Sequence, residues 1–206
     1  MSNKFEIGRI DKVSITELNK ESKKLLEIPL LFYKQSINFS LPDEYDKKID
    51  EFFEILGEWS KQLSEKIGKI QKIFVESITQ AGEEAHLQLR QILRKNIGLL
   101  NFIEGFLKSG ALLEKTEDAD LLAEHIAWVN DANSPNALDL DKKYVIITRK
   151  ERANYISNRI QETLSEGEIA CLLISLDLAS IIEYPKVLEV IKFRPPVIDD
   201  ILKFLQ

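Results

Sequence analysis

The sequence predicts an α/β fold, helix-rich and built on a small, mainly parallel, buried sheet. Residues 170–174 (ACLLI) are apolar without alternation and of strand length, as required of a strand covered on both faces of a parallel sheet. Over residues 42–70, Tyr45, Ile49, Phe52, Leu56, Trp59, Leu63, Ile67 and Ile70 recur at spacings of three and four, which is helical. Through the last third of the chain a helix, an apolar strand, a crossover, a second strand and a helix follow one another, the order that α/β units impose.

Each element has its own local signal. Ser14 and Glu17 form a capping box, so a first helix is expected over residues 14–27, stopping before Pro29. Residues 28–39, aromatic and β-branched, read as a strand followed by a loop. Ser40, Leu41 and Pro42 open the long helix. Residues 72–75 (KIFV) read as a short strand, and Ala81-Gly82 separates it from a helix over about 83–95. Gly98 is expected to break that pattern; a further helix spans about 99–109, and Gly110 stands where a left-handed residue ends a helix. Thr116 is a candidate N-cap for a helix reaching Val129, with Glu117, Asp118 and Asp120 where the helix dipole favours acids. Residues 130–141 (NDANSPNALDLD) read as the one long exposed loop. Thr148 and Glu151 make a second capping box for a helix carrying Tyr155, Ile156, Ile160 and Leu164 on its apolar face and ending at Gly167. A short helical segment at 178–183, a strand at 187–191 and a helix from Pro195-Pro196 to near Leu205 complete the reading.

Composition bounds the function. The 206 residues are 44% hydrophobic and 30% charged, with 8 Gly and 6 Pro, which excludes collagen-like, low-complexity and disordered classes. A chain of this size buries roughly 70% of its surface on folding, enough for a single domain over residues 1–206. With 28 basic and 34 acidic residues the net charge is -6, which argues against nucleic acid as a partner. The one Cys cannot form an internal disulfide and the first residues lack a signal-peptide apolar run, so a cytoplasmic location is expected. The longest apolar stretch, 170–182, is interrupted by Ser175, Asp177 and Ser180 and is too short to span a bilayer, so no membrane association is expected. A protein partner or a second copy is the partner class left.

Chemistry-bearing motifs are sparse. There is no Walker A loop, Gly-x-Gly-x-x-Gly, Gly-x-Ser-x-Gly or Cys-x-x-Cys. His86 and His125 have no second His one turn away, and Cys171 sits inside the apolar strand run, where a thiol serves as a small hydrophobe. Neither a metal nor a cofactor is expected. Glu83 and Glu84 fall at a helix start, where acid/base chemistry, cation binding or simple dipole placement would each use them. Arg152, read as one turn into its helix, is either a solvated surface residue or the partner of a carboxylate. Phe52, Phe53 and Trp59 on the long helix form a candidate interface, the alternative being that its seam is covered by the chain's own elements.

The order of short motifs resembles an uncharacterised bacterial family related to the TraB-like and erythromycin-esterase-like superfamily. Ile28-Pro29, Gly110-Ala111, Thr116-Glu117, Leu121-Leu122, Glu124, Arg152, Tyr155-Ile156, Arg159-Ile160 and Gly167-Glu168 agree with the family pattern. The departures fall on its polar positions. Phe32 replaces a His and Ser36 an Asp; a Gly-Arg-Glu turn reads Gly82-Glu83-Glu84, and a Gly-x-x-His loop reads Ser175-Leu-Asp-Leu178. Phe and Leu supply apolar bulk where imidazole would bind a metal or move protons near neutral pH.

The resemblance therefore implies a non-catalytic binding or regulatory protein, a pseudoenzyme on an inherited scaffold, with Phe32, Glu83, Glu84, Arg152 and Leu178 marking the former pocket. The alternative is a cation-assisted hydrolase in which Glu76, Glu83, Glu84 and Glu117 supply hard oxygen ligands. A purely helical scaffold without a pocket is a third possibility, which a parallel sheet would exclude.

Overall fold

Residues 22–37 and 40–205 are described by a computed structural model. The elements are β1 (Lys23–Pro29), α1 (Lys34–Ile37), α2 (Asp43–Ile67), β2 (Lys72–Val75), α3 (Gly82–Ile92), α4 (Ile97–Lys108), β3 (Leu112–Glu114), α5 (Ala119–Ala132), α6 (Asp139–Thr163), β4 (Ile169–Ile174), α7 (Leu176–Ala179), β5 (Leu188–Lys192) and α8 (Val197–Lys203). The strands form one sheet in the order β3-β2-β4-β1-β5, and every neighbouring pair is parallel. The fold is thus α/β, and the purely helical alternative is excluded. No helix among the described residues is long and apolar enough to cross a membrane.

The strands show why an unalternated run marks a central position. All six residues of β4 are buried. Cys171 and Leu173 enter the core on one face, while Ala170, Leu172 and Ile174 enter the core on the other. The first face is covered by α2, α3, α4 and α8 through Tyr45, Phe52, Leu89, Ile103 and Ile201; the second is covered by α6 and α7 through Ile156, Ile160 and Leu178. The connections from β1 to β2 and from β2 to β3 run over the first face toward the β3 edge. Those from β3 to β4 and from β4 to β5 run over the second face toward the β5 edge. Reversing direction and face together keeps all four crossovers of one hand.

The first-helix expectation fails where it can be checked. Its residues 14–21 lie outside the described residues, but Lys23–Pro29 is a strand. β1 lies between β4 and β5, so Leu25, Leu26 and Ile28 are all buried, and Lys24 and Glu27 are buried with them. Two charges three residues apart imitate a helix face, and the sheet overrides that local pattern.

Four boundaries also move. Gly98 does not break a helix: α3 and α4 separate at 93–96, where the buried Asn96 caps α4 by accepting from Leu99 N–H and donates to Leu31 O at 2.7 Å. Gly98 lies inside α4, where a Cβ would meet the Phe53 ring at 3.5 Å, an ordinary contact. Thr116 is not a cap; Asp118 accepts from the N–H groups of Asp120 and Leu121 instead. Thr148 lies mid-helix, because α6 begins at Asp139, whose start is tied by Leu138 N–H donating to Asp141 at 2.7 Å. The long loop of 130–141 shrinks accordingly to the residues between α5 and α6. Gly110, at φ +91°, does take the left-handed conformation.

The described part of the α2 seam, through Trp59, is covered from within. Tyr45, Ile49, Phe52 and Leu56 are fully buried against the first face of the sheet. Phe53 and Trp59 are only half-buried and rest on internal partners, Phe53 on Tyr33 and Phe52, Trp59 on Phe193 at 4.7 Å. Phe52 therefore does not belong to an external surface. Burying a side chain of this size contributes about 1.5–3 kcal/mol; the side chains of Leu63 and Ile67, further along the stripe, lie outside those described.

Candidate functional site

In open parallel sheets, ligands gather outside the carboxyl ends of the strands, where two neighbouring strands send their chains in opposite directions. Here that point lies between β2 and β4: the chain leaves β2 toward α3 on the first face and leaves β4 toward α7 on the second. Glu76 follows β2 and Ser175 follows β4, and the Ser175 N–H donates to Glu76 Oε2 at 2.6 Å across the gap.

A buried guanidinium closes the arrangement. Arg152 on α6 donates through Nε to Glu117 Oε2 at 2.6 Å, and through Nη2 to Glu117 Oε1 at 2.8 Å and Glu76 Oε1 at 3.3 Å. The side chains of Arg152, Glu117 and Glu76 are 7%, 1% and 12% exposed, so all three charges sit out of water. Burial raises the Glu76 carboxyl above its ordinary range, against the Ser175 N–H and Arg152, which pull it down. Burial also works against the Arg152 charge, but its bonds to Glu117 and the charges of both carboxylates prevail and raise its pKa.

The backbone holds these groups in place. Ser77, directly after Glu76, has φ +71°, a conformation unusual outside glycine, and its N–H donates to Glu117 Oε1 at 2.8 Å. The Gln88 side chain braces that turn, donating to Ser77 O and accepting from the Thr79 N–H. Thr116, buried beside Glu117, accepts from the Val75 N–H at 3.0 Å and so fixes the loop after β3 to the end of β2. Next along α5, the buried His125 meets Thr148 Oγ1 at 2.8 Å, and the Thr148 hydroxyl also reaches Tyr144 O. Burial, with Arg152 and Arg149 nearby, lowers the His125 pKa below its usual value.

The residues singled out from the sequence divide around this site. Arg152 is at its centre, with the carboxylate partner that the sequence left as one of two alternatives. Glu83 and Glu84 are exposed in the first turn of α3, where the dipole favours them, and make no ion pair with Arg152. Phe32 and Leu178 both follow the carboxyl ends of strands but lie on opposite faces: Phe32 packs with the α2 side, Leu178 with the α6 side. Their side chains therefore pack in different apolar clusters. Of the four carboxylates considered as cation ligands, only Glu76 and Glu117 meet, and Arg152 occupies the space between them. Among the described residues, no group of three or more His, Cys, Asp or Glu could hold a metal ion.

Sequence reasoning missed Ser77, Ser175 and Thr116 as parts of the site. Their contributions are backbone N–H groups or a hydroxyl whose partner lies on another strand, and no local spacing announces such a contact. It also missed a second buried carboxylate, Glu27 on β1, which accepts from Tyr184 Oη at 2.8 Å and Arg194 Nη2 at 3.2 Å, with Lys192 Nζ at 3.4 Å. No family model, curated protein or solved structure matches this chain.

Proposed function

We propose that the chain is a non-catalytic binding or regulatory protein on an enzyme-like α/β scaffold. The supporting observation is Arg152 lying between Glu76 and Glu117 at the switch point of the sheet, with all four carboxylate oxygens already accepting from a protein donor. To act as an acid or base, or to ligate a cation, either carboxylate would have to give up a charge-assisted bond and leave a buried ion uncompensated, at a cost of about 3–5 kcal/mol. Descent from the TraB-like and erythromycin-esterase-like superfamily belongs to this proposal and rests on the ordered short motifs, with Phe32 and Leu178 in place of imidazoles. The proposed setting is the cytoplasm, which suits a chain whose one Cys, at 171, is a free, buried thiol. The proposed partner class is a protein or a second copy of the chain.

The test is titration of the purified chain with magnesium, manganese and zinc by calorimetry, paired with assays on chromogenic esters and phosphodiesters. No saturable cation binding and no rate above buffer are expected. A cation-dependent rate that disappears in Glu76→Gln or Glu117→Gln, with the fold retained by circular dichroism, would overturn the reading in favour of the hydrolase.

A further inference from the structure

His125, the one buried residue of α5, stands outside the bonds that tie Arg152 to its carboxylates. Its Nδ1 lies 2.8 Å from Thr148 Oγ1, and that hydroxyl lies 2.9 Å from Tyr144 O. A carbonyl cannot donate, so the single hydroxyl proton goes to Tyr144 O, and Nδ1 must carry the hydrogen that reaches Thr148. Nε2 of the neutral ring is thereby left as an acceptor.

Arg152 leaves the complementary group. Its Nε and Nη2 donate to Glu117 and Glu76, and Nη1 keeps two N–H groups. Among the described residues, nothing bonds His125 Nε2 or Arg152 Nη1, although the two residues are only 7% and 6% exposed. Thr163 Oγ1 is the one inaccessible side-chain atom among the described buried ones that lacks a partner, so Nε2 and Nη1 both keep contact with solvent. They do so from one seam: Thr148, which holds the ring, precedes Arg152 by about 6 Å along α6. Arg149, beside Thr148, is partly exposed and meets the well-exposed Asp177 at 3.6 Å.

The charges decide what such a place admits. Glu117 and Glu76 already balance Arg152, and Arg149 faces Asp177, so a bare anion is opposed. An anion that arrives with a proton adds no net charge. In the chain alone, burial, Arg152 and Arg149 keep that proton off the ring, against the pull of Glu117. A negative charge set beside the two guanidiniums reverses their push.

We propose that His125 Nε2, Arg152 Nη1 and Arg149 line a slot at the carboxyl end of the sheet for a small monocarboxylic acid. The ligand is held as a carboxylate against an imidazolium, the proton being drawn from solvent. This deepens the binding reading of the strand-end site and rests on it, since Glu76 and Glu117 must stay engaged with Arg152.

Calorimetric titration of the full chain with sodium acetate near pH 7, in two buffers of different ionisation enthalpy, tests the slot, with sodium chloride as control. Saturable binding with uptake of close to one proton is expected, weakening about tenfold from about pH 6.5 to 7.5. In His125→Gln the proton uptake should vanish and the affinity fall at least about tenfold, with the circular dichroism melt retained; His86→Gln should change neither. Nitrogen NMR of the wild type gives a readout that needs no variant, since acetate should convert His125 Nε2 from an unprotonated to a protonated nitrogen. Heats no larger than those of chloride, binding without proton uptake, an unchanged Nε2 signal, or full affinity in His125→Gln would each overturn the proposal. Rates on chromogenic esters are measured separately, so a failure of the slot and a failure of the non-catalytic reading are told apart.

Discussion

Glu117 and Glu27 are both 1% exposed, both at the sheet, and both neutralised, yet their partners differ in kind. Glu117 is held by a guanidinium that is itself 7% exposed and shared with a second buried carboxylate. Glu27 is held by the phenol of Tyr184 and by two cations at the margin of β5, Arg194 at 36% and Lys192 at 46% exposure. In the first case one residue balances two anions and cannot be replaced by water. In the second the cations are duplicated and half in solvent, so the loss of one leaves the other and lets water in. A buried charge is thus as robust as its least replaceable partner.

The sharpest way to break the contrast is Arg152→Met, which leaves Glu117 and Glu76 facing each other without a cation. A loss of about 3–5 kcal/mol is expected by denaturant unfolding, and a loss as small as that of a surface substitution would end the distinction. Tyr184→Phe removes one donor from Glu27 while the cations stay, so about 1–3 kcal/mol should be lost. A larger loss than for Arg152→Met would reverse the ranking.

His125 reads the same electrostatics through pH. Its folded pKa lies below the unfolded value, so the unfolded chain takes up the proton first, and stability erodes as pH falls below about 6.5. Its share is at most about 1.4 kcal/mol per pH unit, so the difference between the wild type and His125→Asn should be constant above neutrality and shift against the wild type on acidification. A difference independent of pH would show that Arg152, Arg149 and Glu117 leave the ring unperturbed. The smallest effect belongs to Arg194→Ala, about 1 kcal/mol or less and weaker in salt, since the lost cation is surface-exposed and Lys192 stays.

Where periodicity and burial coincide, the sequence was readable. β4 and α2 follow from apolar patterns that only one environment satisfies. β1 was read as the end of a helix opened by the Ser14–Glu17 capping box and stopped by Pro29, whereas the partners of its buried Lys24 and Glu27 lie more than 160 residues away, on β5 and just after it. The Thr148 box matches the capping pattern in spelling but not in position, since the chain was already helical from Asp139. β3, only three residues long with Leu112 exposed, carries too little signal for a strand. Glu76 and Glu117 were grouped as cation ligands and Arg152 was noted apart from them; the convergence of all three is a product of strand order. The carboxylate partner that was one of two alternatives for Arg152 is present, but not because of a helix start, since the residue is in the middle of α6 and not in its first turn.

The placement of β1 also dictates when this chain can become a folded object. Lys24 pairs with Ile169 and Lys23 with Leu188, so the strand is synthesised early but its only neighbours, β4 and β5, arrive near the end. β2 is in the same position on its longer side, waiting for β4, although β3 reaches it sooner. Until the ribosome has released residues 169–192, the apolar stretch at Leu25, Leu26 and Ile28 has no sheet to enter and must be shielded or left exposed. Closure over such separations is slow, and it joins both ends of the molecule in one event. Cotranslational folding can therefore prepare helices but not the sheet, and a nascent chain stopped before β4 presents chaperones with unpaired strands.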